Sequence, residues 1–140
     1  MMRKKSIIFM AIAFLAFAVT INVWASEMKQ YSIDLKPTKS HPGASGTAVF
    51  DESNIVIYTR GLRPNSVYTA WFVNWKPEKH ETGAGMPPYM FKTDHEGKAI
   101  YTSAMKESPI RKWQMVMIVL HPTGDPGDMK NMVDALKGNL

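Results

Sequence analysis

The run Gly61-Leu62-Arg63-Pro64-Asn65-Ser66-Val67-Tyr68-Thr69-Ala70-Trp71-Phe72-Val73 constrains the fold more than any other stretch of this chain. Its glycine, proline and asparagine favour a tight corner, and the residues after it alternate as a strand does. Val67, Trp71, Val73 and Trp75 share one face with Thr69, while Tyr68, Ala70 and Phe72 share the other. Both faces are apolar, so the strand over Val67 to Lys76 must be covered on both sides and lie centrally. Trp113 to His121 reads the same way, with Trp113, Met115, Met117 and Val119 opposed by Val116, Ile118 and Leu120. These two segments are the expected core strands.

Shorter strands are expected around them. Gln30 to Lys36 alternates through Tyr31, Ile33 and Leu35 and reads as an edge strand. Thr47 to Phe50 is a short strand, Asp51 to Asn54 a turn, and Ile55 to Arg60 a β-branched strand. Tyr89 to Asp94 and Lys98 to Ser103 flank His95-Glu96-Gly97 and read as a hairpin. Pro77 to Pro88 is a long connection rich in proline and glycine, of a length that commonly carries function.

The chain end predicts a helix over 126–137. Asp125 can cap it, Pro126 suits its first position, and Met129, Met132, Val133 and Leu136 fall on one stripe. Lys137 suits the last turn and Gly138 the stop.

The start of the chain reads as a leader. Arg3, Lys4 and Lys5 precede an uncharged apolar run from Ile7 to Val19, and Val23-Trp24-Ala25 ends in a small residue. That pattern predicts a signal peptide over 1–25, or an uncleaved anchor, and a single exported domain over 26–140 in a periplasmic or extracellular compartment. The leader holds three of the 17 basic residues and none of the 12 acidic ones. The remaining 14 basic residues leave a net charge near +2, scattered along the chain, without the basic stripe that nucleic acid requires. There is no cysteine, which excludes disulfides, thiol catalysis and cysteine-ligated zinc. A domain of this length can bury roughly 65% of its unfolded surface and rest on packing alone.

Leu62-x-Pro64-x-x-x-Tyr68 resembles the tyrosine corner of fibronectin type III and other immunoglobulin-like sandwiches. The resemblance implies that the Tyr68 hydroxyl bonds the backbone near Leu62 or Arg63 and that Leu62 plugs the core. With the later Phe91-to-Gly97 hairpin it is also similar to exported sandwich modules found beside bacterial anti-sigma factors and superoxide-dismutase-like domains. The implied fold is an all-β, Greek-key, immunoglobulin-like sandwich of about seven strands, closed by the C-terminal α-helix. The resemblance carries no catalytic residues.

Three constellations could bind something. Eight of the 11 methionines lie beyond the leader, and thioether and imidazole suit copper. The alternative copper set is His80, Met86, Met90, His95 and His121, with Met115, Met117, Met129 and Met132 at core spacing. The loop His121 to Asp128 offers His121, Asp125 and Asp128 to a cation or substrate, although capping already accounts for its acidic residues. Trp71, Trp75 and Trp113 with Tyr89 and Tyr101 form a candidate aromatic platform, suited to carbohydrate or a partner chain. No motif of hydrolysis, phosphate binding or zinc proteolysis is present, and the acidic pairs sit in turns.

These observations favour an exported, non-catalytic binding or interaction module with no cofactor. It engages a protein partner or itself, and touches a membrane only through an uncleaved leader. Trp75, His80, Met86, Tyr89, His121 and Asp125 are the expected contact residues, with Leu62, Pro64 and Tyr68 structural.

Overall fold

A computed structural model describes residues 27–140; the predicted leader over 1–25 lies outside them. Nine strands run in chain order: β1 (Tyr31–Pro37), β2 (Ser45–Phe50), β3 (Asn54–Arg60), β4 (Val67–Asn74), β5 (His80–Gly83), β6 (Met90–Lys92), β7 (Ala99–Ala104), β8 (Met115–His121) and β9 (Val133–Asn139). They form one open, curled antiparallel sheet in the order β5-β4-β8-β9-β1-β2-β3-β7, with β6 also pairing β4. Among the described residues the class is all-β, with nine strands rather than about seven.

The sheet curls because β1 changes partner along its length. Tyr31 to Leu35 pair with β2, whereas Lys36 and Pro37 pair with β9. The inward residues of both halves then meet in one core. Ala48, Phe50, Ile55, Ile57 and Tyr101 come from one half, and Tyr68, Ala70, Phe72, Val116, Ile118, Leu120 and Leu136 from the other. A stack joins them: Tyr68 lies 5.7 Å from Phe91, and Phe91 lies 5.9 Å from Tyr101. Gln30 to Lys36 is therefore not an edge strand; β1 has a neighbour on either side.

The predicted helix over 126–137 does not form. Residues 122–132 make turns, and β9 follows between β8 and β1. The apolar stripe was compatible with both structures. A lone helix of about a dozen residues is marginal in water, whereas β9 gains hydrogen-bonded neighbours on both edges and buries Ala135 and Leu136 completely. A bulge between Ile118 and Val119 lets Ala135 and Leu136 both turn inward. The Asp125 and Asp128 groups serve turns: Asp125 Oδ1 accepts the Gly127 N–H at 2.8 Å, and Asp128 N–H donates to the Asp125 carbonyl at 3.1 Å.

The expected hairpin is also rearranged. The turn exists, with Asp94 N–H donating to the Lys98 carbonyl at 2.8 Å. Its two arms diverge, however, β6 joining β4 and β7 joining β3. The chain crosses from one half of the sheet to the other there. Within the long connection after β4, His80 to Gly83 adds β5 along one edge.

Candidate functional site

Because β4 and β8 are apolar on both faces, the core uses only half of their side chains. Thr69, Trp71 and Val73 of β4 pair with Val119, Met117 and Met115 of β8 on the outward face. Met117 and Val119 are almost completely covered there, and Trp71 is half-buried. Trp75, just past the end of β4, is 46% exposed. Trp71, Val73, Met117 and Val119 floor a groove walled by Trp75 and Met132, with Lys79, Glu81 and Asp134 at its rim.

Each wall is held by a specific device. The Trp75 N–H donates to Gln114 Oε1 at 2.8 Å, tying the end of β4 to the entry of β8. Lys79 Nζ lies over the Trp75 ring, 5.0 Å from its centroid. Trp71 Nε1–H donates to Thr69 Oγ1 at 2.7 Å, and Thr69 Oγ1 lies 2.7 Å from His121 Nε2. The Tyr89 ring lies 5.6 Å from Trp71. Gly83 faces Trp71 across the strand pair, and a Cβ at Gly83 would run into that tyrosine ring. The missing side chain is the slot that seats Tyr89.

Of the expected contact residues, Trp75 walls the groove and Tyr89 supports it from beside Trp71. His121 reaches the same network from below. It is 1% exposed and offers no surface to a ligand, its Nδ1 lying 3.3 Å from the Asp128 carbonyl. Asp125 is exposed on the turn beyond it. Met86 is 49% exposed, and its N–H donates to Ser103 Oγ at 2.7 Å on the β7 side. His80 sits at the start of β5, 3.8 Å from Glu78.

The histidines of the alternative copper set are dispersed. His80 pairs with Asn74 and His121 with Val67, at opposite ends of β4, roughly 23 Å apart for an eight-residue strand. His95 is solvent-exposed at its turn, 3.6 Å from Glu96. Among the described residues no three His, Cys, Asp or Glu side chains could hold a metal ion together. The aromatic platform also divides. Trp71, Trp75 and Tyr89 are on the outer side, whereas Trp113 packs on Phe72 and Tyr101 is buried, donating to the Ala84 carbonyl at 2.6 Å.

Of the residues named as structural, Leu62 is buried and Pro64 is exposed. Tyr68 is fully buried; its hydroxyl accepts the Arg63 N–H at 2.9 Å and lies 3.0 Å from His41 Nε2. Burial pushes the Tyr68 pKa up. Sequence reasoning missed Lys79, Glu81, Met132 and Asp134 at the groove. Lys79, Glu81 and Asp134 are charged residues outside the apolar pattern, Met132 was read as part of a helical stripe, and only the pairing of β5 and β9 brings them to Trp71.

Compared with protein-family models, curated proteins and solved structures, the chain has no match.

Proposed function

We propose that this chain is an exported, non-catalytic interaction module that engages a partner through the outward face of β4 and β8. The finer form of its fold is proposed as an immunoglobulin-like Greek-key sandwich in which Leu62, Pro64 and Tyr68 make a tyrosine corner. One observation supports the functional reading: an apolar groove floored by half-buried Trp71 and by Val73, Met117 and Val119, beside a half-exposed Trp75 and rimmed by charged residues. An apolar centre with a polar rim is the anatomy of a contact surface, and tryptophan is the residue type most enriched at its energetic centre. The copper and carbohydrate alternatives gain less support, because the histidines are dispersed and the aromatic rings are divided between the two sides of the sheet.

The test is native mass with metal analysis on the chain purified under mild conditions from its exported compartment. A metal-free particle heavier than the monomer, lost in Trp75→Ser, supports the reading. A lone monomer, or one carrying stoichiometric copper, overturns it.

A further inference from the structure

Resting on that reading, we propose that the groove between Trp71 and Trp75 receives the ammonium group of a lysine side chain presented by a partner polypeptide.

Three observations converge. First, indole π faces attract cations, and Trp71 and Trp75 both line the groove. The attraction is already realised within the chain: Lys79 Nζ sits 5.0 Å from the Trp75 centroid. Second, Glu81 and Asp134 stand at the rim, and neither forms an ion pair among the described residues. Lys79 is the one cation of the lining, while Lys137, opposite Met117, lies on the same face outside it. Third, the groove is small, with room of about 80 Å³. A cavity of about 150 Å³ takes one benzene, and pockets that bury drug-sized ligands run from about 300 Å³ upward. The space therefore fits the tip of one side chain rather than a whole free ligand or a sugar ring. A lysine suits it in every part, since its methylene stem lies on apolar surface while the charged head meets the carboxylates and indoles.

Lys79 then acts as an internal stand-in that an incoming lysine displaces. This gives a signature that a merely structural role would not produce. The full chain is titrated with acetyl-Gly-Lys-Gly-amide while the indole N–H resonances of Trp71 and Trp75 are followed. The control is the same peptide with norleucine, which keeps the stem and lacks the charge. We expect saturable shifts with the lysine peptide and binding about two- to fivefold weaker for norleucine. Lys79→Gln tightens lysine binding by about two- to fivefold. Glu81→Gln with Asp134→Asn weakens it by about threefold or more. All three substituted residues are exposed, so the fold is retained. Absence of saturable shifts, equal binding of the two peptides, or unchanged or weaker binding by Lys79→Gln overturns the proposal. If the chain still associates with a partner while the lysine peptide fails, the ammonium assignment falls and the interaction reading stands.

Discussion

Tyr68 and Thr69 are consecutive residues on opposite faces of β4, and each meets a histidine: His41 in the loop between β1 and β2, and His121 at the end of β8. Tyr68 Oη lies 3.0 Å from His41 Nε2, and Thr69 Oγ1 lies 2.7 Å from His121 Nε2. The protons fall in the same order on both sides. Each hydroxyl accepts an N–H, from Arg63 or from the Trp71 indole, and keeps its own proton to donate. The Nδ1 partners set the tautomer of the neutral form, because the Asp128 carbonyl only accepts and Ser40 Oγ spends its proton on the Asp134 carbonyl: the hydrogen sits on Nδ1 and Nε2 accepts. That hydrogen faces Ser40 Oγ at 3.0 Å in one case and the Asp128 carbonyl at 3.3 Å in the other. Ser40 continues the chain to the Asp134 carbonyl at the start of β9. An imidazole thus ties a segment to the central strand on either face: the loop before β2 through His41, and the turn at Asp128 through His121.

The His41 side of this arrangement predicts a pH dependence. Burial, and then the nearby Arg63 charge, hold the His41 pKa below its ordinary value. The unfolded chain takes up this proton near about 6.5. A folded pKa below the unfolded one means that the unfolded state binds more protons in between. The His41 contribution is therefore complete above the unfolded value and is lost as pH falls through the folded one. The urea midpoint of the wild-type chain should fall between neutral pH and about 5 more steeply than that of His41→Gln. Parallel midpoint profiles would remove His41 from the account.

Tyr68→Phe deletes the shared acceptor. The Arg63 N–H then loses its partner beside a buried ring, and His41 Nε2 loses its donor. Such a loss costs about 1–3 kcal/mol. Equilibrium unfolding in urea should show it as a lowered midpoint at unchanged slope. A variant that unfolds at the wild-type midpoint would mean that the turn before Tyr68 does not depend on its hydroxyl.

Thr69→Val tests the other face. It is nearly isosteric, but it strips the partner from both Trp71 Nε1–H and His121 Nε2 at a fully buried position. The expected cost is again about 1–3 kcal/mol, and Thr69→Ser, which keeps the hydroxyl, should recover most of it. Equal destabilisation by valine and serine would point to a lost methyl contact instead.

What could be read from the chain followed the range of the signal. β4 and β8 were visible because two-faced apolar alternation is local, and only a covered strand tolerates it. The turn before Tyr68 was visible because glycine, proline and asparagine are local signals too. Pairing was not. The turn at His95 to Gly97 reads as a hairpin from its own residues, yet the partners of Phe91 and Tyr101 are decided by β4 and β3, more than twenty residues upstream. His80 to Gly83 has no apolar alternation, so β5 exists only because the edge of β4 is open to it. The groove inherits both limits. Trp71 and Trp75 were legible as candidates, whereas Glu81 and Asp134 become its rim through register alone. The stripe from Met129 to Leu136 misled because only Val133 and Leu136 of its four residues belong to β9, while Met129 and Met132 lie in the turns before it.

Gly138 distinguishes those two structures directly. As the residue after a helix, it would be a stop signal. Extending the helix through alanine would then be mild or favourable, since alanine exceeds glycine in helix propensity by about 1 kcal/mol. In β9, Gly138 pairs with Val116 and lies where a Cβ would come within 2.5 Å of the Asp34 carbonyl oxygen and 2.9 Å of Leu35 Cδ2. Leucine can move, but the backbone oxygen of β1 cannot do so without breaking the junction where β1 leaves β2 for β9. Gly138→Ala should therefore destabilise by about 1–3 kcal/mol, the range of overpacking in a close-packed interior. The substitution should also weaken amide-exchange protection at Lys36 and Lys137, which pair beside it. A Gly138→Ala chain as stable as wild type, with protection intact, would mean that β1 and β9 do not approach as closely as this junction requires.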